Sequence, residues 1–120
     1  PITVGRMRAI EATLPRDLRE QTRFVLVSID PTNDTPAKLR AYRSAHGLNA
    51  GRWLLLRGSA TEVAALAQRA GFTFQRTAAG SFAHDSVIAV LDPQGKIAAR
   101  HDGLYAGADT LAAQVRAVLP

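Results

Sequence analysis

Apolar positions along the chain follow two different spacings, and the switches between them outline its elements. Val4, Met7, Ile10 and Leu14 recur every three or four residues, with Arg6, Arg8 and Glu11 between them. This spacing predicts an amphipathic helix over 4–14, ended by Pro15. Residues 24–29 form a continuous, Val- and Ile-rich apolar run. That is the pattern of a strand covered on both faces, as in a parallel sheet. Thr35 then stands where a helix cap belongs, with Pro36 at the first helical position, where a missing N–H costs nothing. Leu39 and Tyr42 are expected to face inward, and Gly47 to stop that helix. "WLLL" at 53–56 predicts a second short buried strand. Ser59 and Glu62 make a Ser-x-x-Glu capping box for a helix that is expected to bury Val63, Leu66 and Ala70 and to close at Gly71. Residues 72–75 are expected as a short strand. Residues 86–91 and 96–100 flank "DPQG", which predicts a hairpin with glycine at the position needing positive φ. A last helix is expected to open at Asp109 or Thr110 and to turn Leu111, Val115 and Val118 inward.

Helix and strand therefore alternate before an antiparallel hairpin and a final helix. That order specifies the α/β class and matches a thioredoxin-like domain: a central sheet with parallel strands plus a C-terminal hairpin, flanked by helices. With 120 residues the chain suits one domain, 1–120, and 47% apolar residues suffice for its core. No apolar run approaches the roughly 20 residues that span a bilayer. Lys and Arg outnumber Asp and Glu by 15 to 10, giving +5. These cations are spread over several helices without interleaved aromatics, which speaks for a generic basic surface, or one that meets an acidic protein partner, rather than for nucleic acid. There is no cysteine, so the 120 residues hold no disulfide, thiolate nucleophile or Cys-rich metal site.

The densest candidate chemistry is "FVLVSIDPTNDTP" at 24–36. Ligands of open α/β sheets gather outside the carboxyl ends of parallel strands, and Asp30 stands at such an end. Asp34, Thr35 and Pro36 read as turn and cap residues. Asp30 reads equally as a cap or as a site residue.

"SIDPTNDTPAKLRAYRSAHG" resembles the S-[IV]-D-P-x-x-D-T-P-x-x-L-x-x-Y motif of the Sco/SenC family, thioredoxin-fold copper-binding proteins that assist cytochrome c oxidase assembly. Further on, "SFAHDSVIAVLDPQG" places His84 ahead of the hairpin turn as the family places its histidine, and "LLRGSATEVAALAQRAGFTF" resembles the block between the two. The likeness runs over nearly the whole chain. It implies a copper site of two cysteines in a C-x-x-x-C loop and one distal histidine, which here is His84. It places the cysteines just before Pro1, so a strand and that loop are expected upstream and the chain is expected to be a fragment. It implies an exported protein at the periplasmic face of the inner membrane, tethered by a segment outside this sequence. The copper-carrying subunit of cytochrome c oxidase is its implied partner, with thiol-disulfide oxidoreductases as further partners. Asp30 and Asp85 are candidates to orient the ligand from behind.

One departure concerns the histidine's neighbours. Family members often carry Asp before it and Ser or Thr after it; here Ala83 precedes His84 and Asp85 follows. His46, near a helix end, is explained by the helix dipole, and His101 and Asp102 read as surface loop residues. Ser81, His84 and Asp85 do not read as a triad. Two other functions share the fold: a thiol-disulfide reductase or peroxiredoxin-like enzyme, and a binding module without metal. Only copper delivery calls for His84.

Overall fold

The computed structural model describes residues 2–30, 32–71, 74–76, 82–84, 87–102 and 107–119, with the backbone alone at 2, 3, 74–76, 82–84, 87 and 102. The elements run α1 (Ile2–Thr13), α2 (Arg16–Glu20), β1 (Phe24–Val27), α3 (Pro36–Ala45), β2 (Trp53–Leu56), α4 (Ala60–Ala70), β3 (Phe74–Arg76), β4 (Phe82–His84), β5 (Val87–Leu91), β6 (Ile97–Asp102) and α5 (Ala108–Val118). Among the described residues the strands form three ladders: β1 parallel to β2, β3 antiparallel to β4, and β5 antiparallel to β6. The chain folds as two compact units, Arg23–Arg69 and Pro1–Thr22 with Ala70–Pro120.

In the unit Arg23–Arg69, β1 and β2 pair in register from Phe24 opposite Trp53 to Val27 opposite Leu56. Alternation puts Phe24, Leu26, Trp53 and Leu55 on one face and Val25, Val27, Leu54 and Leu56 on the other. The first face is packed. The Phe24 and Trp53 rings stack with centroids 4.9 Å apart, and Trp53 is wholly buried. α3 lies against β2. The second face is not covered as the apolar run predicted: Val25 is 43%, Leu54 39% and Leu56 46% exposed. A continuous apolar string reports strand propensity on both faces, but burial depends on what packs there. β1 also ends at Val27 rather than residue 29, because Ser28 turns its hydroxyl into the following loop.

The predicted caps form. Lys38 N donates to Thr35 Oγ1 at 3.2 Å, with Pro36 at the first helical position, and Gly47 takes φ +63 after α3. The box at α4 is reciprocal: Ser59 N donates to Glu62 Oε1 at 2.9 Å and Glu62 N donates to Ser59 Oγ at 3.1 Å. The Ser59 backbone N–H first, and the Ser59 hydroxyl second, hold the Glu62 carboxyl below the ordinary 4.5. Val63 is buried, but Leu66 is 47% exposed, against expectation.

In the other unit, Val4, Met7, Ile10 and Leu14 are all buried, as their spacing requires. α1 packs on α5, whose Leu111 and Ala112 are buried, and α5 lies on β5, where Ile88 and Val90 are buried. α2 was not foreseen; five residues are too few to show a period. It brings Arg19 back over the end of α1, where Nε donates to Glu11 O and Nη2 to Leu14 O, each at 2.9 Å. Those carbonyls have no partner inside the helix. The hairpin closes as predicted, with Gly95 N donating to Asp92 O at 2.9 Å and Gly95 at φ +85. α5 opens one or two residues before the predicted Asp109 or Thr110, with Gly107 as its cap. Asp109 lies in the first turn, where its charge suits the dipole.

Three measurements test these contacts. Trp53→Ala should cost about 3–5 kcal/mol in chemical unfolding, since a fully buried stacked ring leaves a cavity. At Gly71, with φ +69, an added Cβ would lie 2.9 Å from Arg100 Nε. Gly71→Ala should therefore lower the melting temperature, by more than the same change at Gly5, which has open space around it. Because the folded pKa of Glu62 is depressed, its contribution is present above its unfolded pKa and lost as pH falls through the folded value. The wild type should lose thermal stability relative to Glu62→Gln as pH drops below the ordinary 4.5.

Candidate functional site

Two stretches carry the candidate chemistry, one in each unit. The first is the exit from β1. Ser28 Oγ donates to Asp34 Oδ2 at 2.6 Å and accepts from Asp30 N at 3.0 Å. Asn33 Nδ2 donates to Asp30 Oδ2 at 2.7 Å, while Asn33 N and Asp34 N donate to Asp30 O at 3.1 and 2.9 Å. Both carboxylates thus accept hydrogen bonds inside the turn that reverses the chain into α3. Pro31 lies outside the described residues.

The second stretch carries His84. Its backbone is the last residue of β4, opposite Phe74 of β3, with Ala83 opposite Gln75. The sequence placed it in the loop leading into the hairpin. The structure instead makes it a strand residue, because residues 74–76 and 82–84 pair with each other ahead of β5. The short strand expected at 72–75 is correspondingly β3, at 74–76. The His84 ring, and with it the expected orientation toward the start of α1, lies outside the described residues, as do Ser81 and Asp85.

The remaining histidines have local partners. His46 is the C-cap residue of α3 and packs on Tyr42, ring centroids 4.1 Å apart. Burial pushes the Tyr42 phenol above its ordinary value. His101 is not in a loop, as the sequence suggested. It belongs to β6, and its Nε2 lies 2.6 Å from Gln114 Oε1 on α5. Asp102, also expected in a loop, is the last residue of β6.

A soft ion such as copper(I) prefers thiolates and accepts imidazole. The 120 residues contain no cysteine, and among the described residues no three His, Asp or Glu side chains converge to hold a metal. Among the described residues, then, no group of side chains forms a site for such an ion. None of the described helices is long and apolar enough to cross a membrane.

One feature escaped the sequence reading. A groove of about 160 Å³ in the unit Arg23–Arg69 is lined by Pro36, Leu39, Arg40, Arg43, Leu55 and Arg57. The i, i+3 spacing of Arg40 and Arg43 was its only signal; Arg57 arrives from β2, and no local pattern links it to α3.

Known proteins resemble this chain. A "Putative copper-binding protein" of Stutzerimonas stutzeri is 31% identical over 101 residues, 81% of this chain and 48% of that protein. The chain thus spans about half the length of this relative. A SCO1/SenC family lipoprotein from Bacillus anthracis superposes with a TM-score of 0.78 at 18% identity, over 92% of this chain and 68% of that one. ScoI of Bradyrhizobium japonicum, solved with copper bound, gives 0.72 at 19% identity, over 95% and 72%. These superpositions establish the thioredoxin-like α/β fold. The SCO1/SenC profile matches residues 1–120, and the chain belongs to that family.

Proposed function

We propose that this chain is the larger part of a copper-carrying domain, in which His84 supplies the imidazole ligand and two thiolates from a segment preceding Pro1 supply the rest. The observation that carries this reading is the family match over all 120 residues; the spacing of His84 ahead of the Asp92–Gly95 turn, which resembles that of the family's histidine, supports it. The copper-bound ScoI structure and the named copper-binding relative support it. Two sulfurs and one nitrogen suit copper(I) and leave the ion three-coordinate, open to an incoming ligand from an acceptor. Copper is then cargo. The acceptor we propose is the copper-carrying subunit of cytochrome c oxidase, on the outer side of the membrane.

β4 contributes position. Pairing with β3 fixes the backbone at His84, so little freedom is lost when the ring takes a metal. Asp85 comes directly after it and is the candidate to accept a hydrogen bond from the second ring nitrogen. For Asp30 the geometry supports the turn role.

Competition titration with a copper(I) chelator tests the assignment. The 120 residues alone should bind copper(I) no more tightly than an exposed histidine does. With a Cys-x-x-x-Cys segment restored, binding should become tight. Asp85→Asn should then weaken it about 10–100-fold, the effect of losing an orienting partner, and His84→Ala by more. Unchanged affinity in His84→Ala would remove this residue from the site and leave a dithiol redox protein as the better reading.

A further inference from the structure

The cations of the chain are not evenly used. Arg19 closes the end of α1. Arg100 does the same for α4, donating to Ala70 O at 2.6 Å and to Gly71 O at 2.5 Å. Arg40 and Arg43 have no such task, and among the described residues neither stands in an ion pair. They project from one side of α3 beside Arg57, which comes after the last residue of β2, around a floor of Pro36, Leu39 and Leu55. α3 fully buries none of its residues, so this side remains accessible.

The local charge is one-sided. Residues 23–69 hold seven Lys and Arg against three Asp and Glu, and so carry +4 of the chain's +5. All three carboxylates accept hydrogen bonds within their own turns or caps, Asp34 from Ser28, Asp30 from Asn33 and Glu62 from Ser59. None of them lines the groove. The guanidinium groups of Arg40 and Arg43, side by side at one small depression, repel each other, and an incoming carboxylate relieves that repulsion.

We propose that this groove docks an acidic segment of a partner protein, with one aliphatic side chain seated on Leu39 and Leu55 and flanking carboxylates held by Arg40, Arg43 and Arg57. A volume of about 160 Å³ suits one such side chain rather than a cofactor. The arginine fork pairs with a carboxylate through two parallel hydrogen bonds, and arginine is among the residues enriched at interface hot spots. Nucleic acid fits less well, because no aromatic side chain lines the groove to stack a base. The site uses neither His84 nor thiolates, so it stands or falls independently of the copper reading.

The test is fluorescence anisotropy of the full chain with a labelled synthetic peptide of alternating Glu and Leu. A Gln and Leu peptide and a single-stranded DNA oligonucleotide of equal charge serve as comparisons. The acidic peptide should bind saturably and more weakly as salt rises. Arg40→Gln with Arg43→Gln should weaken it at least about tenfold, whereas Arg69→Gln, outside the groove on α4, should not. The Gln and Leu peptide should bind no better than the double variant binds the acidic one. Circular dichroism melts establish that the variants fold. If the double variant does not, Arg40→Gln alone, at an exposed side chain, carries the test with a loss of several-fold. Binding that ignores these arginines, absence of saturable binding, or DNA that binds as tightly with the same dependence on both arginines would overturn the proposal.

Discussion

Two parallel strands cannot be joined by a turn, and the unit Arg23–Arg69 is organised around that constraint. β1 and β2 run parallel, so the chain leaving Val27 must travel back over the ladder before it re-enters at Trp53. α3 makes that journey. The crowded sequence between them, in which only Asp30 read equally as a cap or a site residue, is the reversal that permits it. Ser28 and Asp34 tie the strand end to the helix start at 2.6 Å, and Thr35 caps α3 itself. Chain return and register are then held from the other end by the Phe24–Trp53 stack.

The other unit solves a different problem. Where its segments turn irregular, carbonyls need donors. Arginine suits this task because its fork reaches two acceptors at once. Arg19 does so close by at Glu11 O and Leu14 O, and Arg100 from β6 at Ala70 O and Gly71 O. A count of net charge cannot separate such structural arginines from those free to meet a partner. Arg100 and Arg40 look alike in the sequence, and only their surroundings divide them.

How far the sequence could be read depends on how local each determinant is. The stripe Val4, Met7, Ile10 and Leu14, the cap at Thr35, the box at Ser59 and Glu62 and the turn at Gly95 are decided by residues within one or two turns of each other, and all are found as read. Leu66 was misread because its period is helical while its burial depends on a distant surface. β4 was missed since three residues carry no period. His101 shows the same limit: its partner Gln114 lies on another element, so it looked like a loop residue. At the candidate site, the position of His84 in a motif was legible, whereas its place on a strand was not.

That placement bears on how a cargo metal would be held. A resident metal is best kept by a complete, rigid set of ligands. A metal that must be handed on needs part of its coordination fixed and part able to exchange. Under the reading proposed here, β4 supplies the fixed part: the backbone of His84 is set by pairing, and the ligand costs little to order. The thiolates come from a different stretch of chain, so their loop can respond to an acceptor while the imidazole stays in place. Thiolate exchange between donor and acceptor also requires that the two proteins approach in a defined orientation. The basic groove of the unit Arg23–Arg69 uses none of these ligands, and charge pairing at a rim acts mainly on encounter and register. Binding the partner and binding the ion would then be separate tasks, placed on different residues of one small chain.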